Sequence, residues 1–275
     1  MVEGKYQLKP SLPFIPGMEL SGIISESNSK EYPIGTKVIY QMRFGGYSEE
    51  VIANIDDLKV FPNNFTYEQA AGFSVASQTA YVSLVERANI LEGQTILILG
   101  AAGGVGLAAI QLANAIGAKV IAICSTKSKQ EIAIKAGAKY ALGYDNMINE
   151  VAEITEKEGV DVIYDPIGGE YFLNALKTIK WGGKILIVGF ASGSIPSLPI
   201  NIPLIKGISV LGVRAGEYFR KHPNLKKPAM NKILNIANEG LITPIIHDSI
   251  PLRDAIKALK KIEKREVIGR LILKP

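Results

Sequence analysis

The stretch TILILGAAGGVGLAAIQLANAIGAKVIAI, residues Thr95–Ile123, decides the fold. Its opening, Thr95–Leu99, is a short apolar run of strand length, and Lys119–Ile123 is a second one. Between them a glycine-rich turn leads into Val105–Ile116, an apolar segment of helical length. A strand, a turn, a helix and another strand make a βαβ unit. Strands that are apolar almost throughout are what a parallel sheet covered on both faces requires. In the turn, Ala101, Gly103 and Gly106 occupy the three positions of G-x-G-x-x-G, with alanine at the first. Such a turn lets the backbone approach a pyrophosphate, and its last glycine lets the helix pack close to the strand. The helix start, Gly104 and Val105, offers N–H groups and a partial positive charge to an anion. The turn is therefore expected to bind a dinucleotide.

The end of the second strand refines that expectation. The chain continues Cys124-Ser125-Thr126-Lys127-Ser128-Lys129, with no Asp or Glu. A site built for NADH usually places a carboxylate here to hold the ribose 2′-hydroxyl. Hydroxyls and lysines suit a 2′-phosphate instead, which favours NADPH. Lys129 also has the plainer reading of an exposed helix lysine, and Cys124 that of a small buried strand residue rather than a nucleophile.

Working outward, a helix is expected near Lys127–Ala136 and strands at Val160–Tyr164, Lys184–Val188 and Ile208–Val213. The segment before Ala76 is rich in Pro and Gly. It reads as a β-rich module with strands at Ser21–Ser25, Lys37–Gln41 and Tyr47–Ala53 and a turn-rich loop at Leu12–Gly17. After Val213 the alternation is lost. Asn231–Glu239 and Leu252–Glu263 read as helices and Gly269–Leu273 as a last strand. The expected fold class is α/β, with a doubly wound parallel sheet at 77–213 inserted into a β-rich domain formed by 1–76 and 214–275. A cleft between two such domains is the default ligand site.

Bulk properties agree with a two-domain globular protein. The chain has 275 residues, 47% hydrophobic and 21% charged, with a formal charge of +5. A small basic excess suits a phosphate-bearing ligand or a lysine-rich surface, and nucleic acid is not the expected partner. One cysteine excludes an internal disulfide and fits a reducing cytoplasm. No apolar run reaches transmembrane length.

A resemblance emerges from several motifs in order. These are Phe14-Ile15-Pro16-Gly17-Met18-Glu19-Leu20-Ser21-Gly22, Gly35-Thr36-Lys37-Val38, Gly45-Gly46-Tyr47-Ser48-Glu49 and the turn Ala101–Gly106. Asp165-Pro166-Ile167-Gly168-Gly169, Val188-Gly189-Phe190-Ala191-Ser192-Gly193 and Gly269-Arg270 add to the series. Together they resemble the medium-chain dehydrogenase/reductase superfamily, and within it the zinc-independent quinone oxidoreductase branch. The resemblance implies a GroES-like catalytic domain, a Rossmann domain, a homodimer, and NADPH-dependent reduction of quinones or other α,β-unsaturated carbonyls. It places Ser125, Lys129 and Tyr144 at the adenosine 2′-phosphate, Thr79 and Phe190 beside the nicotinamide, Arg270 at the cofactor, and Tyr6 along the substrate cleft. Plainer readings stand beside these: Tyr144 as a surface tyrosine, Thr79 as a helix residue, Tyr6 as a loop anchor.

Two departures from the family pattern matter. Zinc relatives carry His-Glu where this chain has Met18-Glu19, and the four-cysteine lobe is absent. With one cysteine, and with His222 and His247 far from that motif, no zinc site is expected, and Glu19 is expected to be structural. Family members also usually carry roughly fifty more residues ahead of Gly4, judged against ordinary domain length. The chain is thus expected to be N-terminally truncated. Hydride transfer to an enone would develop charge on the carbonyl oxygen, and Tyr6 and Tyr40 are the candidates to stabilise it. The alternatives are an enoyl-thioester reductase of the acrylyl-CoA type and an NADPH-binding protein inactive through truncation.

Overall fold

The computed structural model describes Gly4 and residues 9–275. The chain divides into two compact units, one formed by 1–75 with 243–275 and the other by 76–242.

The first unit contains two small sheets. Strands β1 (Glu19–Ile23), β2 (Lys37–Gln41) and β3 (Leu58–Val60) form an antiparallel three-stranded sheet over a core of Tyr32, Val38 and Leu58. The expected strand at 47–53 does not form. Tyr47 gives its amide to the Pro16 carbonyl at 2.9 Å, and Ile52 stands fully in solvent. That backbone is spent on a loop–loop contact in which Gly17 and Gly46 let two main chains touch. A Cβ on Gly17, at φ +97°, would lie 2.7 Å from the Gly46 carbonyl carbon. Helix α1 (Tyr67–Ala71) opens with a capping box, Thr66 accepting the Gln69 amide and Gln69 accepting that of Thr66. Helix α2 (Ser74–Tyr81) starts in this unit and continues into the second.

The second unit contains a six-stranded, all-parallel sheet. Its strands are β4 (Thr95–Ile98), β5 (Lys119–Ile123), β6 (Tyr140–Leu142), β7 (Val160–Asp165), β8 (Ile179–Ile187) and β9 (Ser209–Gly212). Their order is β6-β5-β4-β7-β8-β9. Ile96, Leu97, Ile98, Ile121, Ile123 and Ile163 are fully buried, as a sheet covered on both faces demands. The helices of this unit after α2 are α3 (Gly104–Ile116), α4 (Lys127–Lys135), α5 (Met147–Ile154), α6 (Gly169–Ala175), α7 (Asn201–Lys206), α8 (Ala215–Lys221) and α9 (Pro223–Asn238). The chain winds outward from β4 in one direction and, after β6, from β7 in the other. The switch point therefore lies between β4 and β7, where sheets of this type bind their ligands.

Residues 214–242 belong to the second unit, although the loss of strand–helix alternation after Val213 predicts that they return to the first. Burial explains the difference. Phe219, Met230, Ile233 and Ala237 are core residues, Gln78 donates to the Met230 sulfur at 2.9 Å, and the Tyr218 hydroxyl donates to Glu86 at 2.7 Å. Amphipathic helices that lack strands between them can still cover a sheet domain. The last segment returns to the first unit, where β10 (Ile246–Pro251) and β11 (Arg270–Lys274) pair in parallel and α10 (Ala255–Glu263) packs on both. The fold is therefore a Rossmann-type sheet inserted into a β-rich, GroES-like unit. Among the described residues, no helix is long and apolar enough to cross a membrane.

Candidate functional site

The site grows from the carboxyl ends of β4, β5, β7 and β8. Three loops meet there: the glycine-rich turn 99–104, the turn 165–169 and the loop 188–194.

In the glycine-rich turn each glycine has a different duty. Gly100 adopts φ +56°, the left-handed backbone that turns the chain out of β4. The left-handed position thus lies one residue before Ala101, so a side chain is tolerated at Ala101, the first fingerprint position. Gly106 is required by packing. A Cβ there would lie 2.7 Å from the carbonyl oxygens of both Gly100 and Ala101. Gly103 is required by neither. It has φ −77° and ψ 166°, and its Cβ would meet only the Gly100 oxygen, at 3.4 Å. A glycine that neither the backbone nor the protein packing demands fits a turn that a ligand approaches closely. Gly103 also supplies no side chain to cap α3, so the amides of its first turn, Gly104, Val105 and Gly106, are left by side chains for another acceptor.

At the end of β5, Ser125 is exposed and Lys129 is half-buried, with Lys129 Nζ 3.4 Å from the Ser125 hydroxyl. Thr126 caps α4 by accepting the Lys129 amide at 3.3 Å, which fixes where that lysine leaves the helix. No carboxylate stands between 124 and 130, so this shelf presents hydroxyls, a helix start and ammonium groups. Cys124 lies beneath it, 2% exposed, and burial pushes its thiol up to about 11, against the Ala102 amide and Lys129. It is buried and protonated, one residue past the end of β5.

Tyr144 reaches the turn itself. Its hydroxyl oxygen accepts the Gly100 amide at 3.0 Å and its ring packs on Tyr171, with centroids 4.5 Å apart. Burial pushes its phenol up to about 12. In the adjacent turn Asp165 is the organising residue, and sequence reasoning gave it no role. Its buried carboxylate accepts the amides of Ile167 at 2.7 Å and Gly168 at 2.8 Å, and its carbonyl accepts the amide of Val188 at 2.9 Å. Burial raises its pKa against those two amides. The available signal was local, an Asp followed by Pro and two glycines, which is turn chemistry. The turn then holds the loop 188–194 by Ala191 to Pro166 and Ser192 to Ile167 hydrogen bonds. Phe190, 37% exposed, leans over Gly168, whose Cβ would lie 2.9 Å from the ring. Ile167 fills the space a Gly100 side chain would take. Thr79 sits half-buried on α2, its carbonyl accepting the Ser83 hydroxyl at 2.6 Å.

The structure thus gathers Ala101, Gly103, Gly104, Val105, Gly106 and Tyr144 at one turn, with Ser125 and Lys129 at the neighbouring strand end. Tyr40 and Arg270 belong to the first unit. The Tyr40 hydroxyl accepts the Asn54 amide at 3.3 Å, and its ring packs on the small core. Arg270 is ion-paired with Glu19, whose side chain is only 8% exposed and also accepts the Val75 amide at 2.8 Å. Burial raises the Glu19 pKa, opposed by Arg270 and by the Val75 and Ser74 amides. Glu19 therefore joins β1, the start of α2 and β11. Tyr6 lies outside the described residues. Among the described residues, no three His, Cys, Asp or Glu are grouped to hold a metal ion, and His222 and His247 are both exposed.

Comparison with known proteins agrees with this geometry. Residues 104–234 match the sequence profile described as zinc-binding dehydrogenase. That span contains only Cys124 and His222 of the cysteines and histidines. The chain is 38% identical, over 98% of its length and 76% of the relative's, to the quinone oxidoreductase-like protein 2 homolog of Nematostella vectensis. It is 33% identical to the quinone oxidoreductase-like protein 2 of Bos taurus, over 98% of its length and 79% of the relative's. The solved quinone oxidoreductase of Escherichia coli complexed with NADPH superposes with a TM-score of 0.88 at 31% identity, covering 99% of this chain and 85% of the other. A probable oxidoreductase from Mycobacterium abscessus gives 0.89 at 31% identity, covering 100% and 84%. The chain belongs to the quinone oxidoreductase family of medium-chain dehydrogenases/reductases and is an oxidoreductase.

Proposed function

We propose that this protein reduces quinones or other α,β-unsaturated carbonyls with NADPH, without zinc, as a homodimer in a reducing cytoplasm. The observation that carries the cofactor reading is the shelf at the end of β5, where Ser125 and Lys129 lie 3.4 Å apart and no carboxylate is present. The shelf supports a 2′-phosphate, held by a hydroxyl and an ammonium group. The amides at Gly103–Gly106 would hold the pyrophosphate, and Thr79 and the backbone around Phe190 would face the nicotinamide. When bound, the dinucleotide supplies the hydride. The protein's part is to orient it and exclude water.

Zinc-free chemistry is supported by the first unit. Met18 offers no ligand, and Glu19 is engaged by Arg270 and the start of α2. Charge developing on the acceptor oxygen requires a donor. Tyr40, whose hydroxyl oxygen accepts the Asn54 amide, is one candidate, and Tyr6 is the second.

The test is NADPH oxidation followed by absorbance with free quinones, enones and enoyl thioesters. We expect turnover with quinones or free enones and a preference for NADPH over NADH. Tight NADPH binding with no turnover on any acceptor would refute the reaction, and turnover confined to thioesters would move the substrate class.

A further inference from the structure

The family resemblance assigns Tyr144 to the 2′-phosphate, but its oxygen is given to the glycine-rich turn. We propose that Tyr144 is a positioning residue, setting the pyrophosphate-binding turn through the Gly100 amide. The proposal rests on the dinucleotide reading above.

Three amides in a row explain why such a residue is needed. Leu99 donates to the Tyr164 carbonyl on β7 at 3.0 Å, and Ala101 donates to the Ile123 carbonyl on β5 at 3.1 Å. Gly100 lies between them, where β4 has ended and the chain turns to φ +56°, so neither neighbouring strand takes its N–H. A half-buried amide without a partner is costly, and the Tyr144 oxygen supplies that partner at 3.0 Å.

The Gly100 peptide is also the platform of the turn. Its carbonyl accepts the Gly103 amide at 3.0 Å, and Gly106 packs against the same oxygen. Rotating that peptide moves the two glycines whose amides would face the phosphates. Tyr144 is itself well held. Its ring packs on Tyr171 and on the buried core of the sheet, and burial keeps the phenol neutral over the physiological range. A neutral hydroxyl oxygen is a constant acceptor. It therefore acts on the turn whether or not a 2′-phosphate is present.

The distinction is measurable with Tyr144→Phe, which keeps the ring and removes only the oxygen. NADPH and NADH are titrated against the full chain, and deuterium uptake is followed over residues 99–103 in the nucleotide-free protein. We expect both dinucleotides to weaken by the same factor, roughly five- to thirtyfold for one lost hydrogen bond. We also expect faster uptake concentrated in that segment, with a melting temperature lowered by only a few degrees. Weakening confined to NADPH would overturn the proposal and return Tyr144 to the 2′-phosphate. Unchanged uptake over 99–103 would overturn it as well. Wild-type protein that binds neither dinucleotide would instead refute the function proposed above, and the uptake measurement would still decide the Tyr144 contact.

Discussion

Lys129 is the residue on which the proposed preference for NADPH turns. Thr126 caps α4 through the Lys129 amide, so the lysine leaves the first turn of the helix and its ammonium reaches Ser125. A charge-assisted hydrogen bond to phosphate contributes about 1.5–3 kcal/mol. Lys129→Ala should weaken NADPH roughly tenfold to a hundredfold, since about 1.4 kcal/mol is a factor of ten, and should leave NADH nearly unchanged. Titrating both dinucleotides against the variant checks this, and equal losses would exclude the 2′-phosphate role. The placement of Lys129 beside Ser125 was legible because it is local: a strand end, a helix start, a lysine four positions on. Tyr144 and Gly100 are 44 positions apart, and Glu19 and Arg270 are 251 apart. No periodicity or spacing rule reports such partners, so the Tyr144–Gly100 and Glu19–Arg270 contacts appear only in the folded chain, whereas the Asp165 turn carries a local signal in the Pro and two glycines that follow it.

At the scale of elements, the βαβ unit was read almost as it stands, because β4, β5 and α3 carry patterns that tertiary context reinforces. The failures lie where context overrides pattern. Tyr47–Ala53 alternates like a strand but spends its backbone on the Gly17–Gly46 contact. Short β6 and β3 have too few residues to show a period. The turn itself yields a separation of duties. Gly106→Ala would force a methyl to 2.7 Å from two carbonyl oxygens, pushing α3 off the turn. Overpacking of this kind costs about 1–3 kcal/mol, a few degrees of melting temperature for a chain of this size. Gly103→Ala meets only one oxygen, at 3.4 Å, and should melt nearly as wild type. Both variants should lose NADPH and NADH together. Thermal melts beside dinucleotide titrations decide the matter: a Gly103→Ala protein that binds normally would remove the close-approach argument for that glycine.

At the scale of the whole molecule, the insertion of one unit into the other was legible from composition, but its second boundary was not. Helices α8 and α9 lack the intervening strands that mark a doubly wound sheet, and their attachment rests on buried Phe219, Met230 and Ile233. The edge of the sheet makes the last prediction. Strand β9, Ser209-Val210-Leu211-Gly212, lies at one end of the strand order and contains no lysine, proline or other blunting residue. Monomeric proteins protect such edges because open amides and carbonyls invite pairing with another chain. Apolar side chains accompany this edge. Val210 is 41% exposed, and Leu204 and Ile205 on the preceding α7 are 83% and 70% exposed. A second copy would cover both features at once. Two β9 strands related by a two-fold axis would pair antiparallel and extend the sheet through both subunits, each shielding the other's α7. Sedimentation at micromolar concentration should therefore find a dimer. Val210→Lys places a charge on that edge in each copy, so the like charges meet across the axis. The variant should sediment as a monomer while still binding NADPH, because the glycine-rich turn and the 125–129 shelf follow β4 and β5, three and four places from β9 in the strand order. A wild-type monomer, or a Val210→Lys dimer as tight as wild type, would place the interface elsewhere.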